Sequence, residues 1–376
     1  MTFDLPSLSD GAKGYLLPVG SFMGSAAGLR LGNSGLKFAG VRLIIREEQT
    51  RVVNHYIPAG DIDSVLGMLP APLQKSLCAQ KSAIETPRQP IECAGLGLGR
   101  MLAFTRPLIM GVLNVTPDSF SDGGDFIDPD AAVRRARQMV AEGADIIDIG
   151  GESTRPGAKP VWEGEEANRI LPVIAALAGE GVPISVDTRH STVMQQALDA
   201  GAHILNDVSA LEYDGASMDV AVRSGAPVVL MHSQGLPETM QDNPTYSDAL
   251  LEVYDYLEAR RDAAIAAGIS QDKIILDPGI GFGKRVLVDN LSLINGLAML
   301  HGLGCPVLLG ASRKRFIEAI TGVEDAKDRM PGSVAAALVA RTVGVQVFRV
   351  HDVAETVQAM KVHQALADVS MMDVYD

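Results

Sequence analysis

The sequence predicts an α/β chain, a (β/α)8 TIM barrel preceded by a small α+β extension. Two observations carry that prediction. From residue 107 onward, eight short apolar runs alternate with segments of helical period over about 260 residues, the size and rhythm of such a barrel. Nearly every run also ends in one or a few polar residues while its interior stays apolar, the pattern of strands whose C-terminal ends share a mouth. A doubly wound sheet would call for a G-x-G-x-x-G turn after its first strand. Gly95-Leu96-Gly97-Leu98-Gly99 imitates part of that turn, but it precedes the first long apolar run and opens no helix.

The first hundred residues follow other rules. Residues 41–46 and 52–57 read as a strand pair around a polar turn at 47–51. Residues 62–79 have helical character interrupted at Pro70 and Pro72. Residues 1–90 are thus expected to be an accessory region without a reactive constellation. Residues 91–106 should form a hairpin closing the N-terminal end of the barrel, and residues 107–376 the barrel itself.

Within the barrel the strands are expected at 108–113, 145–149, 182–186, 202–205, 227–231, 273–276, 306–309 and 345–350. Helices should follow at 129–142, 164–178, 191–200, 217–224, 246–267, 290–300 and 333–343. Asp352 and Glu355 have the spacing of a capping box for a last helix.

Composition bounds the function. The chain has 376 residues, scarce aromatics and 38 glycines, as suits an enzyme with an aliphatic interior. Its formal charge is -14, and residues 101–376 hold 22 basic against 38 acidic residues. That balance argues against broad nucleic-acid or anionic-membrane binding. No apolar stretch reaches the roughly 18 residues of a membrane span, and the N-terminus lacks the features of a signal peptide. Cys78, Cys93 and Cys305 are odd in number and widely spaced, so reduced thiols and a cytoplasmic location are expected.

Reading only the strand ends collects Asn114, residues 150–156, Asp187, Asn206, Asp207, His232, Gln234, Asp277, residues 312–314, Arg349 and His351. Any one could merely cap a helix, His232 could be a satisfied core imidazole, and Arg349 and His351 could pair with neighbouring acidic groups. Chance capping does not readily account for nearly every strand. Asp187, Asn206 and Asp277 suit a flat heterocycle bearing N–H donors. Lys314 can reach a ring carbonyl or nitrogen. Arg155, Arg349 and His351, with Asn114 and Thr154, can surround an anion and a hard divalent cation. Loops 116–124 and 151–163 read as covers that complete a site on closure. Gly281 and Gly283 would let backbone approach a ligand, with Phe282 stacking on a flat ring.

These residues lie in runs that closely resemble dihydropteroate synthases. They are Met110-Gly111-Val112-Leu113-Asn114-Val115-Thr116-Pro117-Asp118-Ser119-Phe120-Ser121-Asp122-Gly123-Gly124, then residues 148–157, 184–188, 206–207, 231–235, 276–284, 312–314 and 349–352. The resemblance spans residues 107 to about 366 in family order. It implies condensation of 6-hydroxymethyl-7,8-dihydropterin diphosphate with 4-aminobenzoate, a step of folate biosynthesis. It implies a pterin pocket of Asp187, Asn206, Asp277 and Lys314, and diphosphate contacts at Thr154, Arg155, Arg349 and His351. By the same resemblance Asn114 helps hold Mg2+. Ser312 and Phe282 line the 4-aminobenzoate side, where sulfonamides compete, with Pro156 and Thr154 nearby. A homodimer through barrel helices is also implied, with residues 332–343 as a candidate surface. Ile280 and Ser233 depart from the family's usual Phe and Met, and neither removes a polar role. A pterin-binding methyltransferase should lack the Ser153-Thr154-Arg155 and Arg349-Val350-His351 sets present here. A catalytically silent pterin binder should have lost a residue of the ring.

Overall fold

Alternating apolar residues near the N-terminus build an antiparallel sheet from β1 (Lys13–Met23), β2 (Leu29–Arg30), β3 (Leu36–Glu47) and β4 (Thr50–Pro58). The computed structural model describes residues 6–93, 96, 101–116, 128–153, 158, 160–235 and 238–370. Strand β3 pairs with each of the other three, and the expected hairpin is its pairing with β4. The longest partner, β1, is an addition to the sequence reading. Pro18 and Gly20 interrupt its alternation, yet its register with β3 runs from Lys13 opposite Arg46 to Met23 opposite Leu36.

Two helices follow, α1 (Ile62–Leu66) and α2 (Ala71–Glu85). Pro70 and Pro72 start α2 instead of merely interrupting a longer helix. Proline is tolerated in a first turn because those N–H groups lack intrahelical partners anyway. Strands β5 (Ile91–Glu92) and β6 (Met101–Leu102) then pair antiparallel, as the hairpin reading anticipated.

The parallel sheet comprises β7 (Leu108–Asn114), β8 (Ile146–Gly150), β9 (Ile184–Asp187), β10 (Ile204–Asp207), β11 (Val228–Met231), β12 (Ile274–Asp277), β13 (Leu308–Leu309) and β14 (Val347–Val350). Its order is β12-β11-β10-β9-β8-β7-β14-β13. The remaining seam is held by a parallel bridge between Leu276 and Val307, where Leu276 N–H donates to Pro306 O at 2.9 Å. The result is a nearly closed (β/α)8-like barrel.

Around it lie α3 (Pro129–Glu142), α4 (Glu163–Leu177), α5 (Ser191–Asp199), α6 (Ser217–Ser224) and α7 (Ala249–Ala267). The series continues with α8 (Val288–Gly296), α9 (Arg315–Thr321), α10 (Met330–Thr342) and α11 (Val353–Ser370). Local chemistry sets the ends of α3: Asp128 accepts from Asp130 N–H, and Gly143 closes the helix at φ +107°. The helix expected over 290–300 divides into α8 and a 3-10 stretch, Leu297–Leu303. Helix α9 was not foreseen. No helix among the described residues is long and apolar enough to cross a membrane.

Period-two alternation sets what the barrel encloses. Leu108, Met110, Ile146, Ile204, Val229, Ile275, Leu308 and Val347 form one buried apolar cluster, joined from below by Ile91, Cys93 and Leu102 of the hairpin. Two residues further along β8, β10, β12 and β14, the same alternation brings Asp148, Asn206, Asp277 and Arg349 inward. The polar site therefore rests on a dry floor.

The N-terminal sheet shares the barrel's outer hydrophobic core and docks on α7. Its hub is Asp255, which accepts from Tyr15 Oη at 3.0 Å and Arg46 Nη2 at 2.6 Å and pairs with Lys13 Nζ at 2.5 Å. The Tyr15 ring meets Tyr254 edge-on, with centroids 5.4 Å apart. Asp255→Ala is expected to destabilise the chain by about 2 kcal/mol, since it strands the part-buried Arg46 and a buried phenol while Lys13 keeps only Glu258. Urea unfolding checks this, and a loss below about 0.5 kcal/mol would show that apolar contact alone seats the extension.

Candidate active site

The centre of the site is one cation between two acids. Arg349 Nε donates to Asp148 Oδ2 at 2.6 Å and its Nη2 to Asp187 Oδ2 at 2.6 Å. Asn206 Nδ2 lies 3.2 Å from both oxygens of Asp148, so β8, β9, β10 and β14 meet through these four side chains. Asp187 Oδ1 is buried and has no hydrogen-bond partner among the described residues. Burial pushes the Asp187 carboxyl upward, against the pull of Arg349 and with neighbouring Asp148 and Asp207 adding to the rise. Asp148 and Asp187 act in turn to hold Arg349 charged against its own burial.

Asp277 joins the ring from β12. Its Oδ1 accepts from Gly279 N–H at 2.7 Å, and burial raises its pKa. The glycine run that follows is packed against protein. A Cβ on Gly279 would sit 1.9 Å from His232 O, and one on Gly283 2.1 Å from Gln234 O. Gly279 and Gly283 let two loops approach each other, whereas Gly281, expected with Gly283 to bring backbone towards a ligand, lies against the Lys314 side chain. Lys284 completes the joint from a fully buried position. Its Nζ donates to Phe282 O at 3.0 Å and meets His232 Nδ1 at 2.9 Å. Burial lowers the Lys284 ammonium to about 7, and burial with the Lys284 charge holds His232 well below its ordinary value. His232 is thus a structural imidazole.

On the opposite side Arg313, at φ +60°, is drawn out to Asp352. This sets its neighbours Ser312 and Lys314 apart from it. Ser312 Oγ lies 3.0 Å from His351 Nδ1 and accepts from His351 N–H at 3.3 Å. Lys314 Nζ stands 4.2 Å from the centroid of Phe282. That ring carries a cation on one face. Asn114 ends β7, half-buried and opposite Gly150.

The matches to known proteins fall on this barrel. A model of the family described as pterin binding enzyme matches residues 110–351. The dihydropteroate synthase of Neisseria meningitidis serogroup B is 50% identical over 270 residues, covering 70% of this chain and 94% of that protein. The Escherichia coli K12 dihydropteroate synthase is 46% identical over 268 residues, covering 71% and 94%. The chain belongs to the dihydropteroate synthase family. A solved Yersinia pestis dihydropteroate synthase with a sulfonamide drug superposes with a TM-score of 0.70 at 43% identity, over 74% of this chain and 100% of that one. The Xanthomonas albilineans dihydropteroate synthase in complex with 7,8-dihydropteroate gives 0.67 at 44% identity, over 74% and 98%.

One expectation drawn from that family is corrected. Magnesium was expected near Asn114, but among the described residues no group of three or more His, Cys, Asp or Glu is placed to hold a metal ion. The reason is local: Asp148 and Asp187 are committed to Arg349, and Asn114 contributes only a neutral amide. This donor set does not fit a hard dication that takes several oxygen ligands. Of the other dihydropteroate synthase positions, Asp187, Asn206, Asp277 and Arg349 come together with Lys314, Phe282, Ser312 and His351 around the mouth. Thr154, Arg155 and Pro156 lie outside the described residues, as does most of loop 116–124 and part of loop 151–163.

Asp148 was missed as a site residue, although a charged residue inside the run Ile146-Ile147-Asp148-Ile149 was a visible signal. Asp207, by contrast, is a cap. It accepts from Ser209 N–H at 2.7 Å and Leu211 N–H at 3.0 Å, holding a turn with positive φ at Ala210 and Leu211.

Glu166 is a further buried acid beside the site. It lies under Gly151, and neither carboxylate oxygen has a hydrogen-bond partner among the described residues. Burial raises it from 4.5 to about 8, with Glu152 and Asp187 adding to the rise while Thr188 and Arg189 oppose it. The native chain therefore keeps a proton that the unfolded chain releases above pH 4.5. Stability from this proton is complete below that pH and is lost as pH rises towards about 8. Glu166→Gln should flatten the fall of Tm between pH 6 and about 9, by roughly 1–3 kcal/mol of stability at the upper end. Parallel Tm–pH curves for the two proteins would refute the assignment.

Proposed function

We infer that the chain condenses 6-hydroxymethyl-7,8-dihydropterin diphosphate with 4-aminobenzoate, giving 7,8-dihydropteroate and pyrophosphate. The observation that carries the assignment of residues is the buried, unpartnered Asp187 Oδ1 beside Arg349. A buried acceptor without a donor is costly, and the N–H edge of a pterin would satisfy it. Asn206 and Asp277 extend the same edge, and Lys314 approaches from across the mouth.

The reaction is a substitution at the exocyclic methylene. Its C–O bond breaks, the electron pair leaves with the diphosphate, and the arylamine nitrogen bonds to the carbon and then loses a proton. Positive charge developing on the pterin would be stabilised by Asp187. Arg349, His351, Thr154 and Arg155 would meet the departing diphosphate. An arylamine is already a competent nucleophile, so no strong general base is required. Ser312, Phe282 and Pro156 would line its approach. Closure of the covering loops would keep water from the cation.

In this reading residues 107–376 are catalytic, residues 91–106 close the barrel and residues 1–90 are accessory. The protein works in the cytoplasm on small molecules and binds neither nucleic acid nor membrane. It works as a homodimer through barrel helices, which the exposed Ile320, Val339, Val362 and Leu366 on α9, α10 and α11 support. Light scattering should give twice the chain mass, and a monomer at working concentration would sink that part.

The main test follows label from radioactive 4-aminobenzoate into 7,8-dihydropteroate. Asp187→Asn and Arg349→Ala, shown by circular dichroism to be folded, should each lower kcat/KM by about 100-fold or more. Near-normal turnover in either variant would remove that residue from its role. Folded parent protein that binds the pterin diphosphate without forming product would overturn the reaction.

A further inference from the structure

We infer that the seam between the N-terminal extension and the lower end of the barrel is a binding site for a small oxyanion, a phosphate or a compact carboxylate. A cavity of about 210 Å³ opens there, away from the catalytic mouth. The extension contributes Asn33, Ser34 and Arg88 to its wall, and the barrel contributes Arg341, Gln346 and Gln364. Arg106 stands there as well, and no Asp or Glu among the described residues lines it. That is unusual for a chain with 46 acidic against 32 basic residues.

Among the described residues, two of the three arginines make no salt bridge to a carboxylate. Arg88 donates to the carbonyls of Ala83 at 2.8 Å, Thr86 at 3.1 Å and His301 at 2.8 Å. Its Nε–H is buried without an acceptor among the described residues. Arg341 Nη2 donates to Gln364 Oε1 at 2.7 Å, and its Nε–H is likewise left without an acceptor. Asp368 is linked to Arg341 through Gln364, whose Nε2 donates to it at 2.7 Å. Burial lowers the pKa of both guanidiniums, Arg88 to about 10. Arg106 differs, since Asp145 neutralises it at 2.6 and 2.9 Å.

Buried cations are ordinarily paired, and an oxyanion in the cavity lined by Arg88 and Arg341 supplies counter-charge that neither finds in a salt bridge among the described residues. Size narrows the class. The cavity has room for about seven waters at roughly 30 Å³ each, below the ~300 Å³ of sites for drug-sized ligands. It therefore suits a phosphate or a short carboxylate and not a pterin diphosphate. Such an anion would bridge extension and barrel, because its two cations come from opposite sides of the seam.

The test is thermal denaturation of the full chain in inorganic phosphate and, separately, in malonate. Each is compared with chloride at equal ionic strength. One oxyanion should raise Tm by about 2–4 °C in a saturable manner, and which one does so separates phosphate from carboxylate recognition. Arg341→Met should weaken the response about tenfold. Asn33→Asp, which places a carboxylate at the exposed rim with little change in shape, should do the same. If Arg341→Met does not fold, Asn33→Asp decides. No oxyanion-specific rise in the parent chain would overturn the site. So would a rise that survives the folded variants, because the anion would then be bound elsewhere, as in the catalytic mouth.

Discussion

Everything at the mouth depends on Arg349 being held between Asp148 and Asp187. Placing three charged groups in a barrel interior costs several kcal/mol per ion before their attraction is counted. The arrangement holds because the strands deliver the groups at hydrogen-bonding distance and a continuous apolar layer lies immediately below. The barrel spends part of its stability on a polar layer that an isolated fold would fill with aliphatics. Two carboxylates against one guanidinium, with Asp277 nearby, also leave the layer short of donors. Asp187 Oδ1 is where that shortage is concentrated.

Such a layer is selective by default. A ligand that only accepts hydrogen bonds would meet carboxylates and gain little, whereas a planar edge of N–H groups would satisfy the free oxygen at once. Cations are attracted too, but Arg349 repels them and occupies the oxygens that a metal would take. The same ion pairs thus account for the proposed fit to a pterin edge and for the misfit of the residues to magnesium.

Much of the fold was legible because a barrel repeats one pattern eight times. The bounds of α3 and α6 follow from residues 129–142 and 217–224 as read, and each expected strand lies within two residues of an observed one. What stayed hidden was parity. Reading strand ends treats neighbours such as Asn206 and Asp207 alike, but alternation turns Asn206 into the barrel and leaves Asp207 to cap a turn. Asp148 escaped for the converse reason, since it precedes the strand end by two residues yet shares the inward face. Strand β1 was obscured by Pro18 and Gly20. Its place depends on pairing with β3 and on the Tyr15–Asp255 contact, partners about 25 and 240 residues away that no local pattern reveals.

The two ends of the barrel differ in electrostatic sense. At the mouth, carboxylates outnumber the cation that joins them. At the lower end, Arg88 and Arg341 line a cavity with no carboxylate in its wall among the described residues. Lower ends of barrels ordinarily serve stability, so an uncompensated positive site there needs a physical reason. The extension supplies one. Its own sheet is fixed to α7 by Asp255, but the seam behind it brings Arg88, placed just after α2, towards Arg341, placed at the end of α10. Like charges across a seam push it open, and only an anion turns that repulsion into adhesion. The family match begins at residue 110, while one side of the seam is built by residues before it. An oxyanion held in this seam would therefore act on extension and barrel together, since each supplies one of its two arginines.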